Sequence, residues 1–219
     1  MGEGKKLSDY LYYHEAGPPS ITIYLGDCLD ILPLLPKVDL VVTDPPYGIG
    51  EDGGKCRTRG SSTPNHEYGA WDSKTPDIKI FQLIREVSKD QMIFGGNYFT
   101  DKLPVSRGWL YWRKLMGGDF ADGELIWTSF DRVLKEFTKP NKGLPTQHPT
   151  QKPVAVIKWC IQQCKYWDTP LSILDPFMGS GTTLVAAKDL KKDCIGIEIS
   201  PKYCEIAKVR LKNTIVPFL

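Results

Sequence analysis

Short Val/Ile/Leu-rich runs alternate with segments of helical spacing, and this predicts an α/β chain with a doubly wound, mostly parallel sheet. A second observation agrees. Asp44, Asp175 and Glu198 stand at or just beyond the ends of three such runs, where open parallel sheets place their ligand loops. The third is size: 219 residues, 41% apolar and 25% charged, have the composition of one globular domain with a substantial core.

The elements follow in order. Residues 21–25 read as a strand and 28–35 as a short helix, and 40–43 form the strand that ends at Asp44. Residues 49–65 are rich in Gly, Ser and charge and lack periodicity; a loop of that length is usually functional or disordered. Because it follows Tyr47 directly, residues 49–70 are expected to form a mobile flap that orders on substrate. Residues 78–89 have helical spacing, 92–95 read as a strand, and 110–112 and 125–128 as further strands. A Pro/Gly/Lys linker spans 139–149, and a helix over 154–166 follows Pro153. The chain closes with a strand at 171–174, a helix at 184–190, a strand at 194–199 and a helix at 201–214, with Pro201 suited to the first turn.

Two motifs carry chemistry. In Asp44-Pro45-Pro46-Tyr47 each proline fixes its own φ and biases the preceding residue toward extended geometry, so the loop is stiff and its carbonyls point outward. An acid, a fixed carbonyl and an aromatic at a strand end can grip a flat ring bearing an amino group; an ordinary Pro-containing turn is the plainer reading. The second motif is Asp175-Pro176-Phe177-Met178-Gly179-Ser180-Gly181-Thr182-Thr183, between a strand and a helix. Glycines admit close backbone approach and the first helical turn offers free N–H groups, a usual cradle for a nucleotide-like ligand. The spacing matches neither the dinucleotide fingerprint nor the phosphate loop. Glu198, at the tip of the next strand, stands where a ribose diol is commonly held, although it could equally cap the helix after Ser200-Pro201.

Composition excludes other classes. No apolar stretch approaches the roughly 18 residues of a membrane span, and the charged N-terminus is unlike a signal peptide. The six cysteines form no C-x-x-C pair and the three histidines are scattered, so no metal site and reduced thiols in a cytoplasmic protein are expected. Net charge is only +2, but Lys102, Arg107, Arg113 and Lys114 lie together with Trp109, Tyr111 and Trp112. Such cations suit phosphates; the rings suit either unstacked bases or packing on a core.

Taken together, these residues resemble the S-adenosylmethionine-dependent DNA amino-methyltransferases acting on adenine N6 or cytosine N4. The catalytic motif of that family is similar to Asp44–Tyr47 and its cofactor loop to the segment from Asp175 to Thr182. Here the catalytic motif comes first, an order that resembles the beta group. His148-Pro149-Thr150-Gln151-Lys152-Pro153 is similar to the segment preceding that group's cofactor loop, and Gly26-Asp27-Cys28-Leu29 to its adenine-holding strand end.

The resemblance implies a Rossmann-like fold, S-adenosylmethionine as methyl donor without a metal, DNA as partner, and a homodimer. It implies that Asp44, Pro45, Pro46 and Tyr47 act on a flipped-out base. It implies cofactor contacts from Asp27, Cys28, Asp44, His148, Thr150, Lys152, Asp175, Phe177, Gly179, Ser180, Gly181, Thr182, Glu198 and Ile199, with Lys152 on the carboxylate of the methionine moiety. Trp71-Asp72 and Gly95-Gly96-Asn97 fall where the family places substrate-pocket residues. An acid at the first motif position resembles the adenine enzymes, whereas serine leans toward cytosine. The target-recognition region, 101–147, is short. An RNA or protein amide methyltransferase and a catalytically silent nucleic-acid-binding module are the competing readings; the motif order argues against the former and intact Asp44, Tyr47 and Glu198 against the latter.

Overall fold

Side-chain alternation along the strands decides the architecture. Leu40 and Val42 enter one apolar cluster and Val41 another; Ile173 and Leu174 divide in the same way. Strands that bury both faces need a helical layer on each. In the computed structural model, which describes residues 4–49, 72, 74–115, 121–140 and 151–215, those layers are present. The elements are β1 (Leu11–Glu15), β2 (Ile21–Leu25), α1 (Cys28–Ile31), β3 (Val38–Thr43), α2 (Ile78–Val87), β4 (Ser88–Phe94), β5 (Trp109–Arg113), β6 (Gly123–Thr128), β7 (Lys135–Thr138), α3 (Val154–Gln162), β8 (Ser172–Asp175), α4 (Thr182–Asp189), β9 (Asp193–Glu198) and α5 (Pro201–Lys212).

The sheet order is β1-β2-β9-β8-β3-β4-β6-β5-β7. Its centre, β2-β9-β8-β3-β4, is parallel. Antiparallel pairings attach β1 to β2 and the β5–β6 hairpin to β4, and β7 runs parallel to β5. Helices α3, α4 and α5 cover one face through Val156, Ile157, Leu184, Ala187, Ala207 and Leu211. On the other face lie α1 and α2, through Ile31, Ile80, Ile84 and Val87. The expected Rossmann-like, doubly wound sheet is therefore the observed fold.

Several expected boundaries move. Helix α2 starts where Asp77 accepts the Lys79 N–H at 2.7 Å, and it ends at Val87 because Ser88 is already extended and pairs with Val38 of β3. Residues 88 and 89 are thus strand rather than helix. Helix α3 stops at Gln162, four residues short of the expected end. Strands β1 and β7 were not expected; β7 carries Lys135 and Glu136 exposed on the outermost edge, where charge discourages further pairing.

The aromatic run at β5 packs rather than waits for bases. Trp112 is fully buried, with its indole N–H donated to the Lys139 carbonyl at 2.8 Å, and Trp109 donates to the Ser106 carbonyl. Three of the four accompanying cations are paired as well: Arg107 with Asp131, Arg113 with Glu136 and Lys114 with Glu124, while Lys102 donates to Thr75 Oγ1. The expected flap lies almost wholly outside the described residues.

Candidate active site

Parallel strands end on the same edge, and this alone gathers the acids. Asp27 follows β2, Asp44 follows β3, Asp175 closes β8 and Glu198 closes β9. Because β3 and β8 are neighbours, two loops distant in the chain meet: Thr43 Oγ1 donates to Asp175 Oδ1 at 2.8 Å. On the other side, Leu25 of β2 lies opposite Glu198, and the Gly26 N–H donates to the Glu198 carbonyl at 2.9 Å.

The Asp44 carboxylate stands at the mouth of this edge, with 27% of its side chain exposed. Tyr47 Oη donates to its Oδ1 at 2.6 Å and Lys152 Nζ to its Oδ2 at 2.5 Å. Burial raises the Asp44 pKa, against the pull of Lys152. Burial also raises that of the Tyr47 phenol, which therefore stays a neutral donor. The Tyr47 ring stacks on Tyr98 with centroids 4.8 Å apart and planes inclined by 14°, and meets Phe99 edge-on. Gly95, at φ +64°, makes room for it, since a Cβ there would lie 2.2 Å from the ring. Gly96 similarly makes room for Trp127, and Asp72 accepts the Gly48 N–H at 2.8 Å. Trp71, His148 and Thr150 lie outside the described residues.

Lys152, expected at the donor's carboxylate, is held in this structure by two carboxylates of the chain itself. Its ammonium is buried between Asp44 and Glu124, the latter 3.3 Å away. Glu124, near the start of β6, also accepts from Lys114 Nζ at 2.6 Å. Burial opposes its charge, but Lys152 and Lys114 hold its carboxyl below the usual range. Glu124 is the member of the site that sequence reasoning missed.

The second half of the site surrounds the glycine loop. Asp175 is buried and accepts from Thr43, from the Phe177 N–H at 3.1 Å and from Thr183; burial pushes its pKa up to about 6 despite these donors. Glu198 accepts from the Gly179 N–H at 3.0 Å and the Ser200 N–H at 2.8 Å, so its carboxylate ties the loop to the exit of β9. The two glycines differ. Gly181 (φ +78°) stands where a Cβ would come within 2.7 Å of Ala207 Cβ on α5, whereas one on Gly179 (φ +50°) would meet nothing within 4 Å. Arg210 donates to the Ser180 carbonyl and hydroxyl and to Thr182 Oγ1, which binds the loop to α5.

The remaining expected residues are distributed along the same edge. Asp27 caps α1 by accepting the Leu29 N–H at 2.9 Å. Cys28 turns its thiol into the core, where burial raises its pKa to about 12. Phe177 is half-buried against the second apolar cluster, and Ile199 is 69% exposed just past Glu198. Among the described residues no group of three or more His, Cys, Asp and Glu side chains could hold a metal, and no helix is long and apolar enough to cross a membrane.

Comparison with known proteins bears on this edge. The sequence pattern of a family described as DNA methylase matches residues 63–209. A type II methyltransferase, M2.MboI of Moraxella bovis, is 25% identical over 94% of this chain and 93% of its own length. Among solved structures, the M1.HpyAVI complex with S-adenosylmethionine superposes with a TM-score of 0.59 at 25% identity, over 87% of this chain and 98% of that one. The cytosine-N4-specific PvuII DNA methyltransferase shares the fold, with a TM-score of 0.58 at 17% identity over 87% of this chain and 86% of that one.

Proposed function

We propose, because the chain belongs to the DNA methylase family, that it methylates the exocyclic N6 of an adenine flipped out of DNA. The observation that carries this reading is the junction at Thr43: its hydroxyl bond to Asp175 sets the amino-gripping loop beside the glycine loop, with the Asp44 carboxylate partly exposed between them. An acid rather than a serine at position 44 supports adenine.

S-adenosylmethionine fits the second half of the site. At Gly179 the backbone is bare and faces open space, as close approach of an adenosyl group requires. Glu198 is the candidate for the ribose hydroxyls, Asp27 and Cys28 for the adenine end, and Asp175, Phe177, Ser180, Gly181, Thr182 and Ile199 for the wall. His148 and Thr150 are proposed from the motif alone. When bound, the donor supplies an electrophilic methyl group on a positively charged sulfur.

The chain's own contribution is positioning and electrostatics. An aromatic amine is a poor nucleophile because its lone pair is delocalised into the ring. Asp44 accepts one amino N–H and the Pro45 carbonyl the other, which favours a pyramidal nitrogen with its lone pair directed at the donor. Pro46 keeps that carbonyl fixed and Tyr47 offers its ring to the base, stacking worth roughly 1–3 kcal/mol against the few kcal/mol that flipping costs. Asp44 then takes the proton that the methylated nitrogen sheds.

Replacing Asp44 with Ala is expected to lower methyl transfer by about 10³-fold while donor binding, measured by isothermal titration, persists. An active variant removes the role. Sequencing that detects modified bases, on unmethylated DNA exposed to the enzyme, should report N6-methyladenine; N4-methylcytosine would overturn the choice of base. The reading includes a homodimer, which doubles a small DNA-facing surface, and a monomer by light scattering with and without DNA would remove that part.

A further inference from the structure

Four charged side chains alternate in sign through the site: Lys114, Glu124, Lys152 and Asp44, joined by contacts of 2.6, 3.3 and 2.5 Å. They come from three separate parts of the chain, β5–β6, the stretch before α3, and the end of β3. One contact differs from the other two. Glu124 Oε2 is buried and lies 3.3 Å from the Lys152 ammonium, within ion-pair reach but, among the described residues, outside good hydrogen-bond geometry. A buried carboxylate oxygen held only at that looser range asks for an explanation.

The resting geometry poses a difficulty that this oxygen resolves. Both Asp44 oxygens are engaged, one by Tyr47 and one by Lys152. An incoming amino group needs one of them, so Lys152 must loosen its hold. If it had no second partner, a buried ammonium would be stranded, at a prohibitive desolvation cost. We propose that Glu124 is a positioning residue of the transfer reaction: it takes over the Lys152 ammonium when a substrate amino group engages Asp44.

The displacement is small, because Lys152 already lies between the two carboxylates. Its Nζ lies over the Phe94 and Tyr47 rings, 5.4 and 5.6 Å from their centroids, and both rings continue to face the ammonium across so short a move. Lys114 holds the other Glu124 oxygen and keeps the acceptor in place. Among the described residues, the groups that face this network are few. Tyr47 and Asp175 act on Asp44, with Tyr98 behind Tyr47, and the neutral Cys160 thiol of α3 lies near Glu124.

The inference rests on the proposed reaction, so its test includes a readout that needs no substrate. The ¹³C-carboxyl titration of Asp44 would be followed in aspartate-labelled protein, assigned through Asp44→Asn, in the wild type, Glu124→Gln and Lys114→Met. Glu124→Gln removes a negative charge and leaves Lys152 committed to Asp44, so the Asp44 pKa should fall. Lys114→Met frees Glu124 to draw Lys152 away, so the pKa should rise. With radiolabelled S-adenosylmethionine and unmethylated genomic DNA, Glu124→Gln should lose about tenfold or more in kcat and shift the acidic limb to lower pH, with donor affinity retained. Equal Asp44 titrations in the three proteins, or Glu124→Gln turning over at the wild-type rate, would overturn the proposal. If Glu124→Gln does not fold, Lys114→Met decides alone: an upward shift supports the handover, and no shift or a downward one overturns it. A wild type that moves no methyl to DNA yet shows the opposed shifts upholds the pairing and overturns the reaction assigned to it.

Discussion

Asp175 concentrates the residue-scale chemistry. It is 3% exposed, and burial raises its carboxyl pKa from an ordinary 3.8 to about 6. The raised value means the fold favours the protonated form. That contribution to stability is complete below the unfolded pKa and is lost as pH rises through about 6. Above that pH the ionised group costs on the order of 2–3 kcal/mol. The ligand-free protein is therefore expected to lose stability between pH 4 and 6.5 on this account, with Asp175→Asn flattening the dependence in thermal melts across that range. The position of Asp175 was readable because an acid closes an apolar run before a glycine turn. The partner of Lys152 was not, since Asp44 lies 108 residues away and no local pattern joins them. Glu124 had a weak signal: once β5 and β6 pair with Trp112 opposite Glu124 and Arg113 opposite Gly123, Lys114 falls diagonally across from Glu124 on the same face of the hairpin.

At the scale of elements, the glycine loop separates two kinds of necessity. Gly181 makes room for α5, so Gly181→Ala forces a methyl against Ala207 at a backbone angle that disfavours side chains. A loss of about 1–3 kcal/mol is expected, visible as a lower Tm. Gly179→Ala has open space and should cost stability only about 1 kcal/mol, with its larger effect on donor affinity by isothermal titration. Glu198→Ala should weaken donor binding about tenfold to a hundredfold on the proposed assignment, since it also releases the Gly179 and Ser200 N–H groups that the carboxylate holds; unchanged affinity would remove its proposed role. Strands with dense apolar runs, such as β3, were legible. Strand β1, Leu-Tyr-Tyr-His-Glu, lacks alternation, and β7, Lys-Glu-Phe-Thr, has a single apolar residue; both form because a neighbouring strand supplies the ladder.

Across the whole molecule, sheet order matters more than chain order. Placing β8 and β9 between β2 and β3 puts Asp175 and Glu198, the proposed donor-side acids, on the same edge as the Asp44–Tyr47 loop even though they are made last. This is why motif order alone could place the two halves together, while the aromatic run of β5 could not be assigned from composition: its burial depends on the β4–β6–β5 ladder and on Lys139.

The alternating chain from Lys114 to Asp44 carries two positive and two negative groups, and their charges cancel. On the proposed assignment, any preference for the sulfonium donor over its thioether product then draws on Asp175 and Glu198, whose hydrogen bonds among the described residues come from Thr43, Thr183 and backbone N–H groups. Asp175 surrenders its charge near pH 6. Acidification should consequently narrow the gap between the affinities for S-adenosylmethionine and S-adenosylhomocysteine, leaving the enzyme more easily clogged by its own by-product in acid than at neutral pH.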